Sequence, residues 1–246
     1  MARKSEPLQQ PEETLRGIKL FQSLSPDDLE ALAKRCQWRR YTANQQVVGQ
    51  MEKTKDVFFI VRGKVRAVIY SLSGKEVTFR DISDGGTFGE FSAIDGKPRS
   101  ANVVALTDPL IASMSANVFW EVLRDYPEVS AITLKRLTSQ VRVLSERVFE
   151  FSTLAVKNRI HAELLRLARD HMRDENTAVI SPAPTHADIA SHISTHRESV
   201  TRELNDLTRA GLIERRGRTL IIRDVTQLTR MVQDVLGEMV QDLLSG

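Results

Sequence analysis

Seven apolar residues, Leu134, Leu137, Val141, Leu144, Val148, Phe151 and Ala155, follow one another at spacings of 3, 4, 3, 4, 3 and 4. A mean period of about 3.5 is the a/d seam of a coiled coil. A helix lying on a globular core drifts toward 3.6 with a wider apolar stripe. The spacing predicts a long helix, with a hinge, over residues 127–157 that pairs with its own copy in a dimer. Packing on its own domain is the alternative.

Upstream of the seam the pattern is different. Between Gln45 and Met114, short runs rich in Val, Ile and Phe recur at Val57–Val61, Val65–Tyr70, Glu76–Ile82, Ala101–Ala105 and Leu110–Ser113. Gly63, Ser73-Gly74, Asp84-Gly85-Gly86 and Asp95-Gly96 separate them, which predicts a small antiparallel barrel or sandwich. Ahead of it, Ser25-Pro26-Asp27-Asp28 opens a helix with Leu29, Leu32 and Ala33 on its apolar face. Residues 1–15 are polar and rich in Pro, Glu and Gln, and read as a mobile arm, with the first domain taken from residue 18 to 126.

Downstream of the seam, residues 159–173 read as an amphipathic helix and Thr185–Gly211 as helix, tight turn, helix. Leu212–Asp224 reads as a hairpin and Leu228–Leu244 as a closing amphipathic helix packed on its own subunit. The domain division that results is 1–17, 18–126, 127–157 and 158–246.

Composition excludes several classes. The chain has 246 residues, 41% hydrophobic and 27% charged, which suits an ordinary soluble protein of one to two domains. Lys plus Arg is 35 against 32 for Asp plus Glu, a net charge of +3, so any electrostatic argument must be local. No apolar run approaches the ~20 residues of a membrane span, and the N-terminus lacks the apolar stretch of a secretory signal. Cys36 is the single cysteine, so no intrachain disulfide forms. A cytoplasmic protein without a membrane partner is expected.

The most informative segment runs from Gly86 to Ala105. Gly89 permits close backbone approach, and Glu90 to Ile94 suits one helical turn whose free N–H groups point at an anion. Nine residues after Glu90 come Arg99, a fork of donors for phosphate oxygens, and Ser100, a further donor. Glu90 repels a phosphate unless it accepts hydrogen bonds from something attached to it, and a ribose hydroxyl is such a group. One carboxylate, one arginine and a Gly-opened turn suit a sugar phosphate of single charge. A plain Glu90–Arg99 ion pair is the alternative.

The second constellation is Thr185–Leu207. Ile189, Ala190 and Ile193 form the inner face of one helix, and Val200, Leu204 and Leu207 that of the next. Ser194 and Thr195 are small enough for a steep bend. Arg197, Glu198, Ser199, Thr201 and Arg202 then face outward where a recognition helix meets base edges, with Thr185 and His196 at the two helix starts. Arg215, Arg216 and Arg218 form a basic cluster on the hairpin, suited to phosphates. A solvated helix with i,i+4 pairs such as Glu198–Arg202 is the alternative.

The string Phe88-Gly89-Glu90 … Pro98-Arg99-Ser100-Ala101 resembles the phosphate-binding cassette of cyclic-nucleotide-binding domains. That resemblance implies Glu90 on the ribose 2′-hydroxyl and Arg99 on the cyclic phosphate, with Ser100 and Gly89 assisting and Phe88, Phe91, Ser92 and Ala101 completing the cassette. Barrel, long helix and winged helix in this order resemble the cAMP receptor protein/FNR superfamily of bacterial transcription regulators, over roughly residues 18–225. The implied fold is α+β: a jelly-roll type cyclic-nucleotide-binding β-barrel, a long dimerisation helix and a C-terminal winged helix-turn-helix. The implied partners are a second copy, double-stranded DNA with TGTGA-like palindromic half-sites read by Arg197, Glu198 and Arg202, and RNA polymerase, for which no residue pattern marks a surface.

Two departures concern the base. Leu144 and Ser145 stand where the family has a Thr-Ser pair that bonds adenine, and Leu144 cannot hydrogen-bond. Strand alternation places Arg80 with Thr78 and Ile82 on the face that the family turns to the ligand. An arginine there can fork to guanine O6 and N7, which suits cGMP as well as cAMP; pairing with an acid at the rim is the alternative. The family often caps the hinge near Thr153–Asn158 with Asp, where this chain has Ala155. A lone Cys36, and His161, His171, His186, His192 and His196 without ligand spacing, predict no metal, haem or iron–sulfur cluster. No nucleophile–base pair or triphosphate loop is present, so no enzyme is expected. Two other readings remain: a regulator with a vestigial pocket, and a cyclic-nucleotide-sensing regulatory subunit of another protein.

Overall fold

A computed structural model describes residues 15–72 and 76–236. They form two compact units: residues up to Ser71 with Phe79–Leu137, and Leu72–Thr78 with Thr138 onward.

The first unit opens with a 3-10 turn at Lys19–Phe21 and helix α1 at Pro26–Lys34. Ser25 caps α1 by accepting from the Asp28 amide at 3.2 Å, with Asp27 and Asp28 at the positive end of the dipole. The arm read over residues 1–15 and extended to 17 is corrected at its end. Leu15 and Ile18 are both fully buried, packed with Phe21 and Leu29, because their side chains supply apolar surface that the preceding polar residues lack. The rest of the arm, residues 1–14, lies outside the described residues.

Eight strands follow: β1 Gln37–Arg40, β2 Gln46–Val48, β3 Val57–Arg62, β4 Val65–Tyr70, β5 Glu76–Ile82, β6 Thr87–Phe88, β7 Asn102–Ala105 and β8 Leu110–Met114. They form two four-stranded sheets, β1-β8-β3-β6 and β2-β7-β4-β5. Strand β3 is buried on both faces. Val57 and Phe59 join the core beneath the helices, while Phe58 and Ile60 join the core inside the barrel. That two-sided burial explains its continuous apolar run. Helices α2, Glu90–Asp95, and α3, Ala116–Asp125, complete this part; α3 and strands β1, β2 and β6 had no clear sequence signal.

Helix α4 spans Pro127–Thr153. Its seam is apolar and open over most of its length: Leu134, Val141 and Val148 are 65%, 63% and 65% exposed, Leu144 and Phe151 are exposed too, and Leu137 is half-buried. Ala155 does not belong to it. The helix ends at Thr153, and Ala155, with φ −61° and ψ 155°, is the extended N-cap of α5, Val156–Arg169. The seam therefore closes at Phe151, and the break falls within the expected hinge.

The second unit contains α5, β9 (Ala178–Ile180), α6 (His186–His192), α7 (Arg197–Arg209), β10 (Ile213–Arg216), β11 (Thr219–Ile222) and α8 (Val225–Leu236). The helix expected over 159–173 starts earlier and stops at Arg169, where Asp170 caps it and the chain turns toward β9. Strand β9 pairs with β11 and widens the expected hairpin to three strands. Helix α8 starts at Val225 rather than 228; Leu228 and Val232 are fully buried in the core with Ile160 and Leu164 of α5. Its expected continuation over 237–244 lies outside the described residues.

A buried ionic chain ties three helices of this unit together. Glu150 of α4 accepts from Arg166 Nη2 of α5 at 2.7 Å, Arg166 also pairs with Glu163, and Glu163 Oε1 lies 2.7 Å from His192 Nδ1 of α6. Burial raises the Glu163 pKa. The His192 hydrogen bond and the charges of Arg166, His192 and Arg147 outweigh it and hold the carboxyl at about 2. Among the described residues, no helix is long and apolar enough to cross a membrane.

Candidate functional site

The first site is local. Gly89 follows β6 with φ +85°, a conformation that a side chain would strain, and serves as N-cap of α2. A Cβ there would lie 2.7 Å from the Asp56 carbonyl oxygen and 2.9 Å from Arg99 Nη1, so the backbone approach requires glycine. Glu90, the first residue of α2, is 5% exposed, and Phe88 and Ser92 are buried beside it. Phe91 and Ser100 are exposed and Ala101 is half-buried.

Arg99 does not pair with Glu90. The residue is 2% exposed, and its guanidinium donates to backbone and hydroxyl oxygens: Nε to Thr54 Oγ1 at 3.1 Å, Nη1 to Gly89 O at 3.0 Å and Nη2 to Asp56 O at 2.9 Å. The plain Glu90–Arg99 ion pair is thereby set aside. Burial lowers the Arg99 pKa, opposed by the charges of Asp56, Glu52 and Glu90. Three of the five guanidinium donors are engaged, which leaves one N–H on each terminal nitrogen for an anion.

Arg80 is the acid's partner instead. Its Nη2 lies 3.4 Å from Glu90 Oε1 and 3.3 Å from Thr87 O, while Nε and Nη1 have no protein hydrogen bond among the described residues. Thr78 and Ile82 are buried with Arg80 between them and Phe79 is exposed, as the alternation requires. A residue that sequence reasoning missed joins this group: Arg136 of α4 donates from Nη2 to the same Thr87 carbonyl at 3.0 Å. Burial lowers the Arg136 pKa, with Glu90 opposing and Arg80 reinforcing the shift. A small cavity lies behind Glu90, lined by Leu20, Thr87, Phe119, Thr133, Arg136 and Leu137. Arg136 gave no signal, being one polar residue among many beside the seam. Leu144 and Ser145 belong to the other unit; both are exposed, and Ser145 Oγ donates to Val141 O at 2.9 Å.

The arrangement fits a nucleotide monoester on chemistry: a glycine-only backbone approach, spare arginine donors and a buried carboxylate suited to sugar hydroxyls.

The second site is a helix-turn-helix with a wing. Thr185 and Asp188 form a reciprocal capping box at the start of α6. The bend uses Ser194 at φ +52°, and Thr195 N donates to Ala190 O at 2.9 Å. His196 is the N-cap of α7, and Val200, Leu204 and Leu207 bury its inner face. Arg197, Glu198 and Arg202 are exposed, Ser199 and Thr201 half-buried. None of the three charged residues has an ion pair among the described residues, so the expected alternative of a Glu198–Arg202 pair is not formed. On the wing, Arg216 pairs with Glu214, Arg215 reaches His186 at 3.3 Å, and Arg218 has no ion pair among the described residues. His186 was not among the expected interface residues.

Two family models match the chain: a cyclic nucleotide-binding domain over residues 38–126 and a Crp-like helix-turn-helix domain over 158–231. The chain is 26% identical to a CRP-like cAMP-activated global transcriptional regulator of Mycobacterium tuberculosis, over 89% of this chain and 98% of that one. It is 27% identical to the cAMP-activated global transcriptional regulator CRP of Salmonella typhimurium, over 79% and 93%. A solved CooA mutant from Carboxydothermus hydrogenoformans shares the fold with a TM-score of 0.76 at 20% identity, over 89% and 99%. The cassette on the barrel and the winged helix-turn-helix behind it thus occur in a chain that belongs to the CRP/FNR family of transcription regulators, with a cyclic nucleotide-binding domain ahead of a DNA-binding one.

Proposed function

We propose that this chain is a homodimeric transcription regulator whose DNA binding is switched by cAMP or cGMP. The observation that supports the effector class best is the Gly89–Glu90–Arg99 geometry, with Gly89 at φ +85° and Arg99 Nη1 on its carbonyl. Glu90 holds the ribose hydroxyls, and Arg99 and Ser100 hold the single phosphate charge. Arg80 offers Nε and Nη1 to the edge of the base, which favours guanine without excluding adenine. The relatives named above as cAMP-activated support the same class.

The uncovered seam of α4 supports the dimer: each apolar side chain it buries against a copy contributes about 1.5–3 kcal/mol. Ser145 is the position from which that seam senses the nucleotide. Any switch must arise from different affinity for two arrangements of the dimer. Re-spacing the two α7 helices would match them to TGTGA-like half-sites about one helical turn apart, read by Arg197, Glu198 and Arg202.

A gel shift on a duplex with inverted TGTGA half-sites, with and without each nucleotide, tests this reading, alongside calorimetry of both nucleotides. Binding only with nucleotide supports it. Constitutive binding indicates a vestigial pocket, and no binding indicates a regulatory subunit. An unchanged cGMP:cAMP affinity ratio in Arg80→Ala removes Arg80 from base selection.

A further inference from the structure

His186 opens α6 between the recognition helix and the wing. Its Nδ1 lies 2.7 Å from Thr201 Oγ1, and Thr201 Oγ1 also lies 3.0 Å from the Arg197 carbonyl oxygen. A threonine hydroxyl has one hydrogen, and the carbonyl can only accept it. Thr201 therefore accepts from His186, and Nδ1 carries the ring proton. In the neutral ring Nε2 is then a bare lone pair, and Arg215 Nη1, which can only donate, stands 3.3 Å from it. A hydrogen-bonded relay thus runs from the wing arginine through the imidazole and Thr201 to the first turn of α7.

The charged groups facing the ring are Arg215 from β10 and Arg197 from α7; on its own helix, Asp188 is engaged in the capping box with Thr185. Burial, then Arg215 and Arg197, hold the His186 pKa below the usual histidine value. Protonation would turn Nε2 into a donor facing a donor and break the relay. A phosphodiester docked there reverses the balance, because it accepts from both groups.

We propose that His186 is a proton-operated positioning residue of the DNA interface: neutral, it holds Arg215 against the recognition helix, and with backbone phosphate present it takes a proton from solvent and joins Arg215 as a second cation. The inference rests on the DNA-binding reading above. Its sign follows from linkage. A pKa higher in the complex than in the free protein means proton uptake on binding, so affinity rises as pH falls through the complex's pKa and levels off below that of the free protein.

The test uses the full-length dimer saturated with cAMP, and separately with cGMP. Fluorescence anisotropy reads binding to a 30-base-pair duplex with inverted TGTGA half-sites, and to a random duplex of equal length, from pH 8 to 5.5. Wild type should tighten on both duplexes by roughly fivefold or more, since up to one proton is taken up per subunit. His186→Gln, whose amide can donate to Thr201 and accept from Arg215, should match wild type at pH 8 and lack that gain. NMR of the free dimer should show the Nδ1–H tautomer at high pH, with the His186 pKa rising on the random duplex. Equal pH profiles for wild type and His186→Gln, with binding intact, overturn this inference and leave the DNA-binding reading standing. Failure of wild type to bind either duplex at any pH overturns both.

Discussion

Arg99 and Gly89 hold each other in place: the arginine Nη1 lies 3.0 Å from the glycine carbonyl oxygen, and a methyl group on the glycine would press on that same nitrogen at 2.9 Å. Gly89→Ala should therefore lose nucleotide binding and also stability, by about 1–3 kcal/mol for the strained backbone. Arg99→Ala should do the same, because it leaves the Gly89 and Asp56 carbonyls without their donors. Thermal melts and calorimetry on both variants check this; a variant that melts like wild type yet binds no nucleotide would show that the lock is dispensable.

Charge on the seam should split the proposed dimer. Val141 and Val148 lie two turns apart on α4 and are open to solvent in the single chain. Val148→Glu should give a monomer by sedimentation velocity, with an unchanged far-ultraviolet spectrum and strongly weakened operator binding. A variant that sediments as a dimer would move the interface elsewhere.

The carboxyl of Glu163, held at about 2 against 4.5 for a free one, favours the folded state wherever it is ionised. Its folded pKa lies below the unfolded value, so its contribution is complete above pH 4.5 and is lost as pH falls from there through about 2. The contribution is on the order of 3 kcal/mol. Urea midpoints measured from pH 6 down to pH 2.5 should fall in that window, and Glu163→Gln, already weakened at pH 6, should flatten the profile.

The two kinds of DNA contact should separate by salt. Arg197→Ala should weaken binding to the TGTGA duplex by about 1–3 kcal/mol per half-site with little change on random DNA. Arg218→Ala should weaken both and reduce the salt slope by about 1 per subunit. Titrations at several salt concentrations distinguish them.

Cys36 should be inert. Burial pushes its thiol up to about 12, with Arg35 opposing only partly. Thiol reagents at pH 7.5 should label it slowly in the native protein and fast in urea.

The parts of this fold written in local sequence were readable from it. Ser25-Pro26 starts a helix, Gly89 turns the chain, and Thr185 with Asp188 opens the reading motif, each through neighbours a few residues away. Strand β1, Gln-Trp-Arg-Arg, has no apolar alternation and is a strand because it pairs with β8. Strand β6 is two residues long and exists through Phe58↔Phe88 and Phe59↔Thr87. Within the cradle, residue types were legible while partners were not. Arg99 meets carbonyls brought from Asp56 and Gly89, Arg80 pairs with Glu90 as its rim-acid alternative has it, and Arg136 arrives from a helix 49 residues beyond Thr87. His186 and Arg215, 29 residues apart, meet only once the wing folds back.

Ala155 begins α5 without any side chain to accept from the free amides of its first turn. An acidic or hydroxyl residue at such a position contributes about 1 kcal/mol to keeping a helix start distinct. Straightening the joint so that Thr153 to Val156 becomes continuous helix therefore sacrifices no such bond here. The elbow between the two helices lacks that restraint, and a single Ala155→Asp exchange should supply it.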